Sequence, residues 1–412
     1  MTAFLPSARG RDAVASPIRR LTPFADAAKS RGVSVLHLNI GQPDIATPTA
    51  VLEAYRNFRE PVLAYGPSEG TLAYRSALAA YYNGLGYGSA GRPVDASDII
   101  VTTGGSEALL FAIAATCDPG DEVLVAEPFY PNYKGFSHIL AVGTRAVTTT
   151  GSDGYKVTAE QIAGAIGPRT KALVLSSPGN PTGTVLSSRE LRDIASVCRD
   201  RGVFFISDEV YRDFVYDAAI CEGATTAPGL LGQPGFDDCA ILVDSVSKRY
   251  SACGARIGCL VTRNAALRAA ALKFAQTRLS PPVVDQMAAH AALATPPAEL
   301  AAAIDDYRRR RDALVAGLQA IPGVRVRSPD GAFYLLAALP VDDAEQFCIW
   351  LLDEFTVGGE TVMLAPADGF YSTPGLGKDE VRIAYVLQVE KLQRACAILG
   401  LALASYPGRR AA

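Results

Sequence analysis

Residues 240–262 read AILVDSVSKRYSACGARIGCLVT, and this stretch decides how the rest of the chain is interpreted. An apolar strand candidate leads directly into Lys248, which stands among serines. A glycine-containing turn with Arg256 follows and runs into a second strand candidate. A lysine in this position can form a Schiff base with an aldehyde cofactor, and an arginine can hold a phosphate through two hydrogen bonds. The stretch therefore indicates a sheet that carries its chemistry where its strands end.

Strand and helix candidates alternate on the N-terminal side of this stretch. Helical patterns at residues 106–116, 158–165 and 188–201 separate runs rich in Val and Ile. This alternation is typical of a parallel α/β sheet that helices cover on both faces, and such a sheet binds its ligand beyond the carboxyl ends of the strands. The seven strand candidates are residues 99–103, 122–126, 145–150, 172–176, 203–207, 240–244 and 257–262.

The texture of the sequence changes after Pro282. Residues 283–295 and 297–321 predict long Ala-rich helices, and short strands mix with helices from residue 324 onward. We expect a smaller α+β domain here, completed by the N-terminal segment. The four arginines at 308–311 are flanked by aspartates, so we expect a solvated helix face and not a basic patch.

Composition excludes several classes of protein. The 412 residues hold 39 Lys and Arg against 42 Asp and Glu, for a formal net charge of −3, and 49% of them are hydrophobic. These values exclude a disordered or fibrous chain, and the balanced charge argues against nucleic acid as a partner. No apolar run reaches the ~18–20 residues of a membrane span. Eight scattered cysteines and three distant histidines predict a cytoplasmic protein without a metal site.

Three further motifs follow strand candidates. In Ser207-Asp-Glu-Val-Tyr211, Asp208 ends an apolar strand and would need a compensating cation, such as a protonated cofactor ring, unless it caps the next helix. Residues 104–107, Gly-Gly-Ser-Glu, begin a helix and present free N–H groups to an anion. Asn180, in Pro-Gly-Asn-Pro-Thr-Gly, can bond a phenolic oxygen, although this sequence is also ordinary turn chemistry.

Together these motifs resemble those of the class I/II aminotransferases, the aspartate-aminotransferase-like branch of the fold-type-I pyridoxal-phosphate (PLP) enzymes. The resemblance runs from about residue 16 to residue 406. It implies an α/β fold of type I, with a mostly parallel seven-stranded sheet in a large domain and a smaller α+β domain. The implied parts are a flexible N-terminal arm at 1–15, a segment joining the small domain at 16–49, a large PLP-binding domain at 50–285 and a small C-terminal domain at 286–412. The motifs that match in order begin at Asn39, Gly104, Pro128, Asn180, Ser207, Ser247, Gly331 and Val381.

The resemblance also implies roles for individual residues. Lys248 would form the Schiff base with PLP and then carry the proton between the substrate and the cofactor. Asp208 would pair with the pyridinium nitrogen, Tyr211 and Asn180 would bond the phenolic oxygen, and Tyr130 would stack on the ring. The phosphate would be held by Gly105, Ser106, the backbone of Glu107, Ser245, Ser247 and Arg256.

Substrate and partner contacts are implied in the same way. Arg382 matches the arginine that binds the substrate α-carboxylate. Tyr65 matches a tyrosine that reaches the phosphate of the partner subunit, which implies a homodimer with shared active sites. A second substrate carboxylate would need a second arginine, and Arg19 and Arg278 are candidates that can equally be solvated surface residues. The residues expected to contact the substrate are Gly41, Asn180 and Arg382.

Three functions stay open from the sequence. The first is an aminotransferase that moves an amino group between a dicarboxylate or aromatic L-amino acid and a 2-keto acid. The second is another PLP enzyme on the same scaffold, catalysing elimination, replacement, cyclisation or oxidation, because the same residues would serve any reaction that removes the Cα proton. The third is a non-catalytic ligand sensor, which should carry a DNA-binding module, and the segment before Gly41 shows no helix-turn-helix pattern.

Overall fold

Strands form where runs of Val, Ile, Leu and Thr favour the extended backbone. A computed structural model describes residues 4–88 and 92–410, so residues 1–3 of the predicted arm lie outside the described residues. Within the described residues the strands are β1 Ser34–His37, β2 Ile99–Thr102, β3 Glu122–Glu127, β4 Gly143–Thr148, β5 Thr170–Ser176, β6 Phe204–Asp208, β7 Ala240–Ser245, β8 Gly258–Val261, β9 Arg325–Val326, β10 Tyr334–Ala338, β11 Glu360–Met363, β12 Ala365–Pro366 and β13 Glu380–Ala384.

Several helices begin after a residue whose side chain satisfies a free backbone N–H group. The Ser187 hydroxyl, for example, accepts from the Glu190 backbone while the Glu190 carboxylate accepts from the Ser187 backbone. In the same part of the chain, the helices are α1 Ala8–Arg11, α2 Thr22–Ser30, α3 Thr49–Arg56, α4 Leu72–Gly84, α5 Gly104–Thr116, α6 Asn132–Ile139, α7 Ala159–Ala165, α8 Ser188–Asp200, α9 Val246–Arg249, α10 Ala265–Arg278, α11 Val283–Ala292, α12 Pro297–Gln319, α13 Ala344–Asp353 and α14 Val389–Ser405.

All seven predicted strands belong to one sheet, whose order is β2-β8-β7-β6-β5-β3-β4. Strand β8 is antiparallel to both of its neighbours, β2 and β7, and the other pairs are parallel. The prediction of a mostly parallel seven-stranded α/β sheet is therefore confirmed. The strand ends differ from the predicted ones by one or two residues, which is the usual uncertainty of boundaries read from sequence.

A second group of strands lies beside the large sheet. Strands β12, β13, β10 and β9 form an antiparallel sheet, and β1 pairs in parallel with β11. Helix α2 packs against α13, and α12 packs against α14. These contacts tie the N-terminal segment to the C-terminal part of the chain and support the predicted small domain. The domain boundaries themselves, and the flexibility of the arm that contains α1, stay predictions.

The arginines of α12 differ from the expectation. Arg309 is exposed and pairs with Asp305, as a solvated face requires. Arg310 is buried, and its guanidinium pairs with Asp44 and with Asp306. The predicted solvated face is therefore wrong at Arg310, because the helix packs this residue against a loop that is distant in the sequence.

Two further observations concern the chain as a whole. Seven of the eight cysteines are buried as free thiols, and Cys253 is partly buried. This agrees with the prediction that they act mostly as small apolar residues. Among the helices that the described residues form, none is both long enough and apolar enough to cross a membrane.

Candidate active site

A cavity of about 600 Å³ opens at the carboxyl ends of the central strands. Strand β6 ends there at Asp208 and β7 at Ser245, while β13 closes the opposite side with Arg382. Most residues predicted from the motifs line this one cavity. They are Gly41, Gly105, Ser106, Tyr130, Asn180, Asp208, Tyr211, Ser245, Ser247, Lys248, Arg256 and Arg382.

Asp208 is a buried carboxylate with one unpaired oxygen. Its Oδ2 accepts a hydrogen bond of 2.7 Å from the Tyr133 hydroxyl, and its Oδ1 has no partner among the described residues. Burial raises the pKa of Asp208 to about 6, and the hydrogen bond from Tyr133 acts against this rise. A protonated ring nitrogen that donates a hydrogen bond to Oδ1 would satisfy that oxygen and stabilise the charged form of the Asp208 carboxylate.

Lys248 lies in the single turn of α9, directly after β7. Its Nζ donates a hydrogen bond of 2.8 Å to the Gly41 carbonyl. A Cβ added at Gly41 would lie only 1.7 Å from the Tyr334 hydroxyl oxygen, so the close approach of these two residues requires glycine. The amine is therefore held at a fixed point between the large sheet and the N-terminal segment.

Backbone and serine groups form a cradle for an anion below Lys248. The cradle consists of the N-terminal turn of α5 with Gly105 and Ser106, the Ser245 and Ser247 hydroxyls, which lie 2.8 Å apart, and the exposed Arg256. A Cβ on Gly258 would lie 2.5 Å from the Gly104 carbonyl carbon, so the two chain segments touch through their backbones. The free N–H groups of a helix start and an arginine suit a phosphate.

Arg382 is a buried guanidinium that has no anionic partner among the residues the structure describes. Its Nη1 donates to Asn180 Oδ1 at 3.0 Å, its Nη2 donates to the Asn39 carbonyl, and its Nε has no partner among the described residues. The Tyr334 ring centroid lies 4.5 Å from its central carbon. Burial lowers the pKa of Arg382, although the nearby tyrosines, Tyr334 foremost, act against this change. A carboxylate ligand would supply the missing counter-charge.

Two aromatic residues complete the walls. The Tyr211 hydroxyl lies 2.9 Å from the Tyr334 hydroxyl, and burial raises the pKa of Tyr211 well above its usual value. Tyr130 lines the cavity and meets the Tyr133 ring edge-on at 5.7 Å. A flat ring bound in the cavity would therefore be bordered by phenol groups on more than one side.

Three of the predicted residues do not line the cavity. The Glu107 carboxylate turns away to accept from the Thr103 backbone, so only its backbone stays at the helix start. Tyr65 lies outside the cavity and is 82% exposed. Arg278 is half-buried, pairs with Glu107 and donates to the backbone of residues 68 and 101, and does not line the cavity. Arg19 does line it.

Tyr133, Tyr334 and Cys253 are among the lining residues that were not given roles from the sequence. Tyr133 and Tyr334 stand inside motifs that matched, but a tyrosine in an apolar run predicts a core residue as readily as a site residue. Cys253 also lines the cavity, with its sulfur 4.0 Å from Lys248 Nζ. The sequence contains a signal for Tyr334: it lies three residues after Gly331 in a matched motif, as Tyr211 lies three residues after Asp208.

An ionic cluster supports the floor of the site; it comprises Arg212, Arg249, Glu209, Asp213 and Asp244, all buried. Arg212 donates to Glu209 at 3.1 Å and to Asp244 at 2.7 Å, and Arg249 pairs with Asp244 and Asp213. Burial would raise the pKa of Asp244, but the two arginines outweigh it and lower that pKa to about 2. Four members adjoin site residues in the sequence, so the cluster helps to fix the backbone that carries Asp208, Tyr211, Ser245 and Lys248.

The residues fit the cofactor that the sequence resemblance implies. A Schiff-base lysine, a phosphate cradle and an unpaired buried carboxylate oxygen occur in one cavity. PLP offers an aldehyde, a phosphate and a ring nitrogen that can be protonated, which are the three matching groups. The cavity also retains an unpaired guanidinium for a substrate carboxylate.

Comparison with known families gives the same assignment. The family model "Aminotransferase class I and II" matches residues 33–399. The aspartate aminotransferase of Rhizobium meliloti strain 1021 is 30% identical over 409 residues, which cover 95% of this chain and 94% of the relative. An arginine–pyruvate transaminase of Pseudomonas aeruginosa is 33% identical over 386 residues, or 92% of each chain.

Solved structures agree with this result. The aspartate aminotransferase of Thermus thermophilus with maleate superposes with a TM-score of 0.85 at 29% identity, covering 98% of this chain and 100% of that one. The aspartate aminotransferase of Thermotoga maritima gives a TM-score of 0.86 at 28% identity, covering 97% of this chain and 100% of that one. The predicted resemblance and the type I fold are confirmed.

Proposed function

Because the chain belongs to the class I and II aminotransferases, we propose that its cavity moves an amino group between a dicarboxylate or aromatic L-amino acid and a 2-keto acid. The family shows that the protein is a PLP-dependent aminotransferase. The residue roles and the substrate class are our proposal. The observation that carries it is the presence of Lys248, Asp208 and Arg382 around one cavity.

Each part of the cofactor has residues of suitable chemistry. When bound, PLP supplies an aldehyde that accepts the amino group and a ring that withdraws electrons from the substrate Cα. Asp208 would hold the protonated ring nitrogen, Tyr211 and Asn180 the phenolic oxygen, and Tyr130 the ring face. The phosphate would be held by the backbone of Gly105, Ser106 and Glu107 and by Ser245, Ser247 and Arg256.

Lys248 would act as the proton carrier of the reaction. Its flexible side chain starts from the rigid turn after β7, and the Gly41 carbonyl already holds its amine at the cavity. With PLP and substrate bound, the lysine amine would take the proton from the substrate Cα. The neighbouring rings of Tyr211 and Phe333, about 6 Å from Nζ, limit the access of water to the amine.

Arg382 would orient the substrate. A guanidinium fork binds a carboxylate through two parallel hydrogen bonds and fixes the direction of the Cα substituents. Asn180 and the Tyr334 ring hold the guanidinium in place before substrate binds. Gly41 would lie beside the same carboxylate, and its lack of a side chain lets the Tyr334 hydroxyl approach this point.

The proposal includes a homodimer in the cytoplasm. Val62, Leu63, Tyr65 and Leu72 are all more than 60% exposed, which is unusual for apolar residues so close in sequence. A second copy covering this face would bury them and bring Tyr65 towards the partner's phosphate cradle. The free, mostly buried cysteines support a reducing compartment.

The test uses Lys248→Ala. We expect the purified variant to retain bound PLP, because the cradle is intact, but to lose turnover by several orders of magnitude. Wild-type holoenzyme should lose its cofactor absorbance band when an amino-acid donor is added and recover it when a 2-keto acid follows. Full turnover in Lys248→Ala would contradict the assignment of Lys248 as the Schiff-base lysine and proton carrier.

A matched control separates this effect from loss of a charge. Lys273→Ala removes an exposed lysine of α10 that lies outside the cavity. It should keep both the absorbance change and the turnover of the wild type. If the wild type released products of elimination or replacement in place of a keto acid, the transamination chemistry proposed for this cavity would be wrong.

A further inference from the structure

Positively charged side chains outnumber negatively charged ones among the described residues that line the cavity. Among the described residues, four cations line it, namely Arg19, Lys248, Arg256 and Arg382, and Asp208 is the one carboxylate. A cavity of this charge favours ligands that together carry several negative charges. A cation that neither the cofactor nor the α-carboxylate engages would therefore indicate a further negative charge on the substrate.

Three of the four cations have a counterpart if the proposed function is correct. Arg256 belongs to the phosphate cradle, Arg382 to the substrate α-carboxylate, and Lys248 to the cofactor aldehyde. Arg19 is left over: like Arg256 it is an exposed residue that lines the cavity, and its guanidinium makes no hydrogen bond or ion pair with another described residue. Its positive charge nevertheless acts inside the site: burial raises the pKa of Tyr130 to about 12, and Arg382 and Arg19 both act against that rise.

The residues around Arg19 are anchored and present it to the cavity. The Ser16 carbonyl accepts from the Arg19 backbone at 3.1 Å, and Asn39 Nδ2 donates to the Ile18 carbonyl at 2.9 Å. The next residue, Arg20, pairs with Glu345 at 2.7 Å and with Asp368 at 2.6 Å. The two adjacent arginines thus differ. Arg20 ties the segment to the C-terminal part of the chain, and Arg19 lines the cavity.

We propose that Arg19 binds the second carboxylate of the substrate, and that this enzyme therefore prefers dicarboxylate amino acids and keto acids over aromatic ones. The inference rests on the proposed function and deepens it. A neutral or aromatic side chain would leave Arg19 without a counter-charge. A basic side chain would meet Arg19 and no free carboxylate among the lining residues described, since Asp208 serves the cofactor.

Arg278, the other candidate from the sequence, fits this role less well. Its guanidinium is engaged by Glu107 at 3.4 Å and by the backbone carbonyls of residues 68 and 101. Burial lowers the pKa of Arg278, and Glu107 opposes that change. A residue with these internal partners has less to gain from a substrate carboxylate than Arg19 has.

The experiment compares Arg19→Gln with wild-type holoenzyme on aspartate and on asparagine, which has nearly the same shape without the charge. We expect kcat/KM for aspartate to fall about 10- to 100-fold and that for asparagine to change less than about threefold. Arg19→Lys keeps the charge without the fork and should fall between the two. Arg9→Gln removes the same charge from the exposed helix α1 and should keep the wild-type ratio.

A binding measurement gives a readout that does not depend on turnover. The Kd of succinate, a dicarboxylate that cannot react, should rise about 10- to 100-fold in Arg19→Gln, while that of propionate, with one carboxylate, should stay within about threefold. Equal effects on both acids, or an unchanged aspartate-to-asparagine ratio in an active variant, would overturn the role of Arg19 and leave the proposed function standing. If the wild type transferred no amino group from any donor, both the role of Arg19 and the proposed function would be wrong.

Discussion

Buried arginines in this molecule have two opposite kinds of surroundings. Arg212, in the ionic cluster, is fully buried and donates to Glu209 and Asp244. Arg382, in the cavity, is 1% exposed and meets an amide, a carbonyl and two rings, but no described carboxylate. The charge of Arg212 is balanced by carboxylates of the chain, whereas the charge of Arg382 would be balanced by a bound anion. Burial alone therefore does not distinguish a structural arginine from a ligand-binding one, but the presence or absence of carboxylate partners does.

The largest effect is expected from removing the arginine whose charge is balanced within the chain. Arg212→Ala leaves Glu209 without its cation and Asp244 with Arg249 alone, so the free energy of unfolding should fall by about 3–5 kcal/mol. Urea denaturation followed by circular dichroism measures it. Arg309→Ala is the matched control, because that exposed arginine should cost less than about 1 kcal/mol. A loss below 1 kcal/mol in Arg212→Ala would show that the cluster does not hold the floor of the site.

A smaller and different effect is expected from removing the arginine that would bind an anion. Arg382→Ala should weaken substrate binding by roughly 2–4 kcal/mol, because the substrate carboxylate loses its charged hydrogen-bond donors. Its effect on the free energy of unfolding should be smaller than that of Arg212→Ala, since no buried carboxylate is stranded. Spectroscopic titration of the holoenzyme with amino acids gives the binding change. An unchanged KM for every substrate would contradict the role.

The smallest effect concerns two buried carboxylates on neighbouring strands. Arginines lower the pKa of Asp244 to about 2 against the effect of burial, whereas burial raises the pKa of Asp208 to about 6. Asp208 thus binds a proton in the folded state between its unfolded pKa of ~3.9 and about pH 6. The contribution of this proton to stability is present at the acidic end of that window and is lost as the pH rises.

The measurement is urea denaturation of the cofactor-free protein at pH 4.5 and pH 7. The wild type should lose about 2 kcal/mol more than Asp208→Asn between these two values, because the amide cannot titrate. Asp244 titrates below this window and does not disturb the comparison. The same pH dependence in both proteins would show that Asp208 is not the group responsible.

Much of the fold was predictable because its signals are local. Runs of Val and Ile placed all seven strands of the large sheet, and the motif after β7 pointed to Lys248 directly. The antiparallel insertion of β8 between β2 and β7 was not predictable in this way, because it depends on pairing with β2, which lies more than 150 residues earlier in the chain. The apolar run of β8 does not indicate which strands it joins or in which direction.

The site shows the same limit at the level of side chains. Residues such as Asp208 and Arg382 stand in recognisable motifs, and the cavity brings them together. Arg310 looks like its exposed neighbour Arg309 in sequence, yet it is buried against Asp44, more than 260 residues away. Tyr334 likewise gains its significance from Tyr211 and Gly41. Contacts of this kind depend on packing between distant segments, which residue patterns do not encode individually.

The close contact between Gly258 and the start of α5 has a consequence for how the protein is made. The phosphate cradle is assembled from residues 104–107 and 245–258, which leave the ribosome roughly 150 residues apart. A nascent chain therefore carries half a cradle for much of its synthesis, and Arg382 emerges later still. Cofactor capture is accordingly a late event in biogenesis. Truncated chains that end before Ser245 lack both serines, Lys248 and Arg256, so they cannot draw the cofactor away from completed molecules through this site.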